Sequence, residues 1–416
     1  MTRAPLSAFR WRLAAGVYAS SALYMLFQGG KTALMLFMIV NVLFLYLLLG
    51  RWSGISKISG ERRLVQAGGA QQTVLEAGTR LKIELQFRIP GLWPIPYVLV
   101  RERLVRQGGK DMPFEVSFVP DFRRHGSITY LTPPLSRGHY RFSPTVCSTR
   151  DVFGLFEHDG TFESAHRFSV LPQKIRIRHW NELHRGMKGP YSHATALRSM
   201  KETTQLNGVR DYHYGDRLSR IHWNATAKSG EWKSKEFERE AMPRSVIVLD
   251  RCEAAYPQPE FFELAVSTAA SLADFGLRRE TATGLVSSGA TKEGFLPRAS
   301  EEQRSLIAKH LTGVACDGQS ALYSSMRQAA ELLPSGSIAV IVSPQGGEEM
   351  LRTMQWLDRK GLAPCLIHLQ APADKTPEAL HWQRLVRSHG WPLYTIGHLQ
   401  ELPAALEGGA HHASSV

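Results

Sequence analysis

The sequence predicts a multidomain chain: an N-terminal transmembrane helical hairpin, an antiparallel β-sandwich, and then an α/β domain built on a mostly parallel sheet. Three observations carry this. Residues 13–28 and 32–50 are apolar runs separated only by Gly29-Gly30-Lys31, residues 61–172 break into short alternating runs punctuated by Gly and Pro, and residues 245–396 alternate strand-like with helix-like stretches. At 416 residues the chain is longer than one hydrophobic core serves, and 43% hydrophobic residues suffice for more than one.

The run from Thr32 to Gly50, TALMLFMIVNVLFLYLLLG, matches the ~20-residue helix that spans a hydrocarbon core. The run from Leu13 to Gln28 is weaker, interrupted by Gly16, Ser20 and Ser21. A lone first apolar segment would read as a signal peptide, but a second follows at once, which favours a hairpin of two spans over residues 1–52. Arg3, Arg10 and Arg12 precede it and Arg51, Lys57, Arg62 and Arg63 follow it, so the positive-inside rule puts both ends, and the soluble bulk, on the cytoplasmic face of the inner (plasma) membrane. Gly30-Lys31-Thr32 imitates the end of a phosphate loop, but Met25 stands where that motif needs its first Gly.

Residues 53–172 form the expected β-sandwich, with strands at 80–89, 97–105, 114–119, 127–131, 139–145 and 165–171. Residues 173–243 read as a basic, partly irregular connector. Residues 244–407 are the α/β domain, opened by the buried-type strand Ser245–Asp250 and continued by strands at 281–286, 337–342, 364–369 and 392–396 with helices between them. Residues 408–416 read as a disordered tail.

Four cysteines lie far apart with no C-x-x-C pair and no His at ligand spacing, which supports neither a disulfide framework nor a zinc site. The formal charge of +13 is concentrated: residues 172–245 carry 15 Lys+Arg against 8 Asp+Glu, a surface suited to nucleic acid, anionic lipid or an acidic protein. Membrane tethering argues against nucleic acid.

Special side chains are densest from Gly208 to Glu240. Tyr214-Gly215-Asp216 reads as a turn feeding a short helix, with Asp216 capping it and Arg220 four residues on, within reach of the carboxylate. Ser229-Gly230 is a turn, and residues 231–240, with Trp232 and Phe237 among charges, read as an exposed strand. Arg210, Tyr212, Gly215, Asp216, Arg220, Ile221, Trp223, Ala227, Lys228, Lys235, Phe237 and Glu238 resemble the signature of the bacterial domain of unknown function 58 family. A second segment of that family is similar to Arg137-Gly138-His139-Tyr140 followed by Asp151-Val152-Phe153-Gly154-Leu155-Phe156, where Val152 replaces the usual Pro.

The resemblance implies a von Willebrand factor A-like fold for the α/β domain. It also implies a working partner among MoxR-type AAA+ ATPases, with transglutaminase-like membrane proteins nearby. The divalent-metal motif of such domains, Asp-x-Ser-x-Ser, reads here Asp250-Arg251-Cys252-Glu253-Ala254; two oxygens are lost, Ser320 is the only stand-in for the Thr ligand, and Arg251 would repel a cation. The expected metal site is therefore degenerate and no cofactor is expected. No nucleophile–base pair, paired carboxylates or phosphate loop stands out. The expected function is a membrane-anchored, non-enzymatic scaffold or adaptor, in which the signature residues form either an ion-pair network or a partner-binding face. The alternatives are a metal-dependent ligand-binding receptor and an enzyme of unrecognised chemistry.

Overall fold

The structure is a computed structural model describing residues 4–50, 53–66, 75–91, 93–152, 154, 156–180, 200–214, 216–241, 244–370 and 377–408. The chain divides into two compact units, Met1–Leu171 and Pro172–Val416.

The first unit opens with α1 (Ala4–Gln28) and α2 (Gly30–Gly50). The chain reverses at Gly29 and Gly30, both at positive φ (61° and 88°), where glycine meets no Cβ penalty. Tyr18 then packs on Phe44 at 5.0 Å and donates to Asn41 Oδ1 at 3.2 Å. Among the described residues only α2 is long and apolar enough to cross a bilayer, which corrects the expectation of two spans. Arg10, Arg12, Gly16, Ser20 and Ser21 dilute α1, whereas α2 has no charged residue after Lys31 and exposes Leu34, Met35, Met38, Ile39, Val42 and Leu45.

Among the described residues ten strands follow: β1 (Ser59–Gln66), β2 (Leu75–Glu76), β3 (Leu81–Arg88), β4 (Val98–Arg106), β5 (Met112–Phe118), β6 (His125–Leu131), β7 (Gly138–Phe142), β8 (Thr145–Arg150), β9 (Glu157–Phe162) and β10 (Arg167–Leu171). They form a sheet ordered β1-β3-β6 and a sheet ordered β2-β10-β7-β4-β8-β9, with β5 also on β4. All pairs are antiparallel except β2 with β10. Period-two alternation turns Leu81, Ile83, Leu85 and Phe87 of β3 inward, where they share one core with Val98, Val100 and Leu104 of β4. The expected strand 139–145 is two strands, because Ser143-Pro144 interrupts the ladder. Strands β1 and β9 escape notice in the sequence because their text, SGERRLVQ and EHDGTF, is dominated by polar residues.

One of those polar residues is deeply buried. The Arg62 guanidinium pairs with Glu102, also donates to Thr145 Oγ1 at 3.0 Å and lies 3.9 Å over the Phe142 ring. Glu102 further accepts from Thr145 at 2.7 Å and from the Tyr130 hydroxyl, so each carboxylate oxygen is satisfied.

The second unit holds a two-stranded ribbon, β11 (Met200–Asp211) and β12 (Lys233–Ala241), with the short helix α3 (Trp223–Ser229) between its strands. The α/β part then runs β13 (Arg244–Asp250), α4 (Pro259–Arg278), β14 (Ala282–Ser288), β15 (Lys292–Arg298), α5 (Glu301–Gly313), α6 (Leu322–Gln328), β16 (Ile338–Ser343), α7 (Gly347–Arg359), β17 (Ala363–Leu369), α8 (Pro377–Ser388), β18 (Leu393–Ile396) and α9 (Glu401–Glu407). The sheet order is β15-β14-β13-β16-β17-β18, parallel except for β15 at the edge. Strand β13 serves both layers: Ile247 and Leu249 face α4, α5 and α9, while Val246 and Val248 face α6, α7 and α8.

The connector is irregular at its start and a strand at its end. Its start is ordered against the α/β core, with Ile177 and Trp180 buried and the Ile175 amide donating to Ser271 Oγ at 3.1 Å; from Met200 it is strand β11. The stretch 181–199 and the tail 409–416 lie outside the described residues.

Candidate functional site

The signature stretch is the tip of the β11–β12 ribbon. Antiparallel pairing sets Asp211 opposite Lys233, Arg210 opposite Ser234 and Val209 opposite Lys235. Asp211 and Lys233 form a cross-strand ion pair that draws the Asp211 carboxyl below the ordinary range. The intervening residues fold back on the ribbon. Ile221 is buried and bridges Ser234, the His222 amide donates to the Lys233 carbonyl at 2.8 Å, and Lys233 N–H donates to Thr226 Oγ1 at 3.0 Å.

Asp216 does not do what its spacing suggests. The expected helix over Arg220 is a single 3-10 turn, Leu218–Arg220, and the helix proper starts at Trp223 with His222 Nδ1 accepting from the Ala225 amide at 3.1 Å. Asp216 instead closes the preceding loop: Oδ1 accepts from Arg210 Nη2 at 2.7 Å and Oδ2 from the His213 amide at 3.1 Å. The Arg210 bond, helped by that amide, holds the Asp216 carboxyl below its usual range. A short polar side chain that satisfies a nearby amide in a turn competes with its use as a cap, and here the turn wins.

The ring of Tyr212 lies 5.7 Å from that of Trp232, which lies 6.3 Å from that of Trp223; the Tyr212 hydroxyl donates to the Asp216 carbonyl at 3.2 Å. Outward, Tyr214 (105%), Leu218 (66%), Trp223 (64%) and Trp232 (52%) are exposed. Lys228 is exposed on α3, Arg220 and Lys235 are half-buried, and Gly230 closes the helix at φ 74°. Phe237 and Glu238 lie on β12, with their side chains outside the described residues, as is Gly215 altogether. In the sequence nothing in the spacing of Tyr214 and Leu218 distinguishes an exposed apolar residue from a core one.

The second candidate is the carboxyl edge of the sheet between β13 and β16, where the strand order reverses direction and open α/β sheets hold ligands. Asp250 is buried there. Its Oδ2 accepts from Ser343 Oγ at 2.6 Å and its Oδ1 from the Cys252 amide at 2.9 Å. Burial raises its pKa against the opposing pull of those two bonds. The Arg251 guanidinium is also buried and bonds Asp317 Oδ1 at 2.6 Å and the Ala315 carbonyl at 2.8 Å.

These residues do not fit a divalent cation. Asp250 is buried with each oxygen accepting a hydrogen bond, Cys252 and Ala254 offer no hard oxygen from their side chains, and Ser320 is exposed on the loop before α6. No group of three or more His, Cys, Asp or Glu side chains able to hold a metal occurs among the described residues.

Residues 208–376 match the family model described as "Protein of unknown function DUF58". The chain is also 25% identical over 364 residues, 82% of its length and 85% of the relative's, to the uncharacterized protein YeaD of Bacillus subtilis (strain 168). Likeness to solved structures is slight. Proximal thread matrix protein 1 from the mussel byssus aligns over 40% of this chain and 46% of its own at 13% identity and a TM-score of 0.29. A putative β-galactosidase from Bacteroides fragilis aligns over 81% and 48% at 10% identity and a TM-score of 0.20. Both candidate sites lie inside the segment that matches the DUF58 model, residues 208–376, and over that segment the chain is similar to the DUF58 family.

Proposed function

We propose that this chain is a membrane-anchored, non-enzymatic scaffold that docks a protein partner through the tip of its β11–β12 ribbon. Helix α2 is the anchor, and the basic residues Arg51, Lys57 and Arg63 that follow it favour a cytoplasmic location for the soluble units. The observation that carries the docking reading is the exposure of Tyr214, Leu218, Trp223 and Trp232 on a ribbon held by the Arg210–Asp216 and Lys233–Asp211 pairs. Rigid, exposed aromatics beside Arg side chains are the composition of interface hot spots.

The basic side chains of the tip, Arg210, Arg217, Arg220, Lys228, Lys233 and Lys235, outnumber Asp211, Asp216 and Glu231, which suits an acidic partner surface. The family resemblance makes that partner a MoxR-type AAA+ ATPase, with a transglutaminase-like membrane protein as a further neighbour. The sheet order, with its antiparallel β15 edge, supports reading the α/β part as a von Willebrand factor A-like domain. The engaged Asp250 supports reading it as one without the metal, which favours a scaffold over a metal-dependent receptor.

Capture of a co-expressed MoxR-type ATPase tests this. Tyr214→Ala/Trp223→Ala and, separately, Arg217→Glu/Lys228→Glu should abolish capture while leaving thermal unfolding unchanged, because all four side chains are exposed. Capture retained by both folded double variants removes the docking role from this ribbon.

A further inference from the structure

We infer that the rim of the β-sandwich beside the end of α2 is a second membrane contact, in which Phe122 and Val119, flanked by Arg123, seat in the headgroup layer of an anionic bilayer. The inference rests on the reading of α2 as a membrane span. Phe122 (109%) and Val119 (73%) are among the most exposed apolar residues of the chain, and Arg123 between β5 and β6 is exposed as well.

Their loop is not a loose one. The Asp121 amide donates to the His125 carbonyl at 2.8 Å, Asp121 Oδ1 accepts from the His125 amide at 2.7 Å, and the Arg124 amide donates to the Asp121 carbonyl at 2.8 Å. Arg124 sits at φ 62°, a conformation costly for a residue with a Cβ and kept only where surroundings impose it. A tight turn that costs strain and presents an uncovered Phe is unfavourable in water and favourable at an apolar boundary.

What covers that Phe follows from where the turn is attached. The Arg124 guanidinium donates to the Trp93 carbonyl at 2.9 Å and to the Ser53 carbonyl, three residues past the end of α2. Trp93 lies 5.5 Å from Tyr46, inside the last two turns of α2, and its indole approaches Gly50, the last residue of that helix. Tyr46 also accepts from the amide of Val152, a third exposed apolar residue (68%). Tyr and Trp gather at the membrane–water boundary, so the Tyr46–Trp93 pair marks its level.

The junction is stiff. Gly54 is at φ 76°, and a Cβ there would lie 1.7 Å from the Pro90 carbonyl oxygen, so the chain leaving α2 is packed directly against the strand end that precedes Trp93. The β5–β6 turn is thereby fixed at the level of the helix end. Exposed Arg123, with Lys57 also exposed in the turn after α2, supplies the positive charge that anionic headgroups attract.

Spin labels on the full-length protein, carrying Cys316→Ser because the other three cysteines are buried, test this in vesicles of phosphatidylglycerol and phosphatidylcholine. Three positions are compared: Phe122→Cys, Val42→Cys within α2, and Lys110→Cys at the opposite end of β4 and β5, about 30 Å away at ~3.3 Å per residue. The label at 122 should be several-fold less accessible to a water-soluble nickel chelate than the label at 110, and Arg123→Glu should restore much of that accessibility. If 122 is as accessible as 110 while 42 is shielded, the second contact is wrong and the span stands; a protein covering for Phe122 is then the remaining explanation. If 42 is accessible too, both readings fall. Unchanged depth on Arg123→Glu overturns the part played by anionic headgroups.

Discussion

His368, near the end of β17, is buried edge-on to Trp382 at 5.1 Å, and burial pushes its pKa down to about 4 despite backbone hydrogen bonding at Gln345 and Ser343. The folded state therefore keeps it neutral where the unfolded chain, titrating at its ordinary 6.5, takes up a proton. Stability should fall as pH drops from 6.5 to about 4, by on the order of 3 kcal/mol at the lower end, with half-buried His310 acting in the same direction. Unfolding followed across that window should show a shallower slope for His368→Gln than for the unaltered protein; an equal slope would contradict the assignment. At the ribbon tip, Arg210 and Asp216 should behave as one unit: the double variant Arg210→Ala/Asp216→Ala should lose no more stability than the more damaging single one, and additive losses would show the pair to be uncoupled.

At the scale of elements, the Arg62–Glu102 pair ties β1 to β4, strands that belong to different sheets of the first unit. Both side chains are almost wholly shielded, so removing one strands the other. Arg62→Ala or Glu102→Ala should each cost about 3–5 kcal/mol in denaturant unfolding of the first unit's signal, while Arg62→Met/Glu102→Leu should recover most of that loss. A small loss in the single variants would mean that water reaches the pair. In the sequence Arg62 reads as one of the charges flanking a membrane segment, because an alternating strand with charges on its inward face gives no sign of a buried partner forty residues on. The strands that were legible carry apolar residues on the inward face, at every such position in β3 and at Val98, Val100 and Leu104 around Glu102 in β4, whereas β1 and β9 bury polar or glycine positions that only a neighbouring sheet makes tolerable.

For the whole molecule, the charge balance around α2 predicts that a reporter fused after Val416 is active only as a cytoplasmic one, and that alkaline carbonate leaves the full chain with the membrane fraction. Release by carbonate would remove α2 as a span. The general architecture was readable in advance: period-two runs for the sheets of the first unit, strand–helix alternation for the parallel sheet of the second, and the signature residues from Arg210 to Glu238 for the family. These features depend on neighbours close in the chain or on one face of one element, and local pattern encodes them directly. The number of spans was not readable, because α1 and α2 differ in degree of hydrophobicity rather than in kind. Tertiary structure alone decided that Asp216 closes on Arg210 behind it instead of capping a helix ahead, that Asp250 spends both oxygens on Ser343 and Cys252, and that Tyr214, Trp223 and Phe122 face outward. Each of these depends on which surface another part of the chain covers, and coverage comes from long-range packing that spacing along the sequence does not contain.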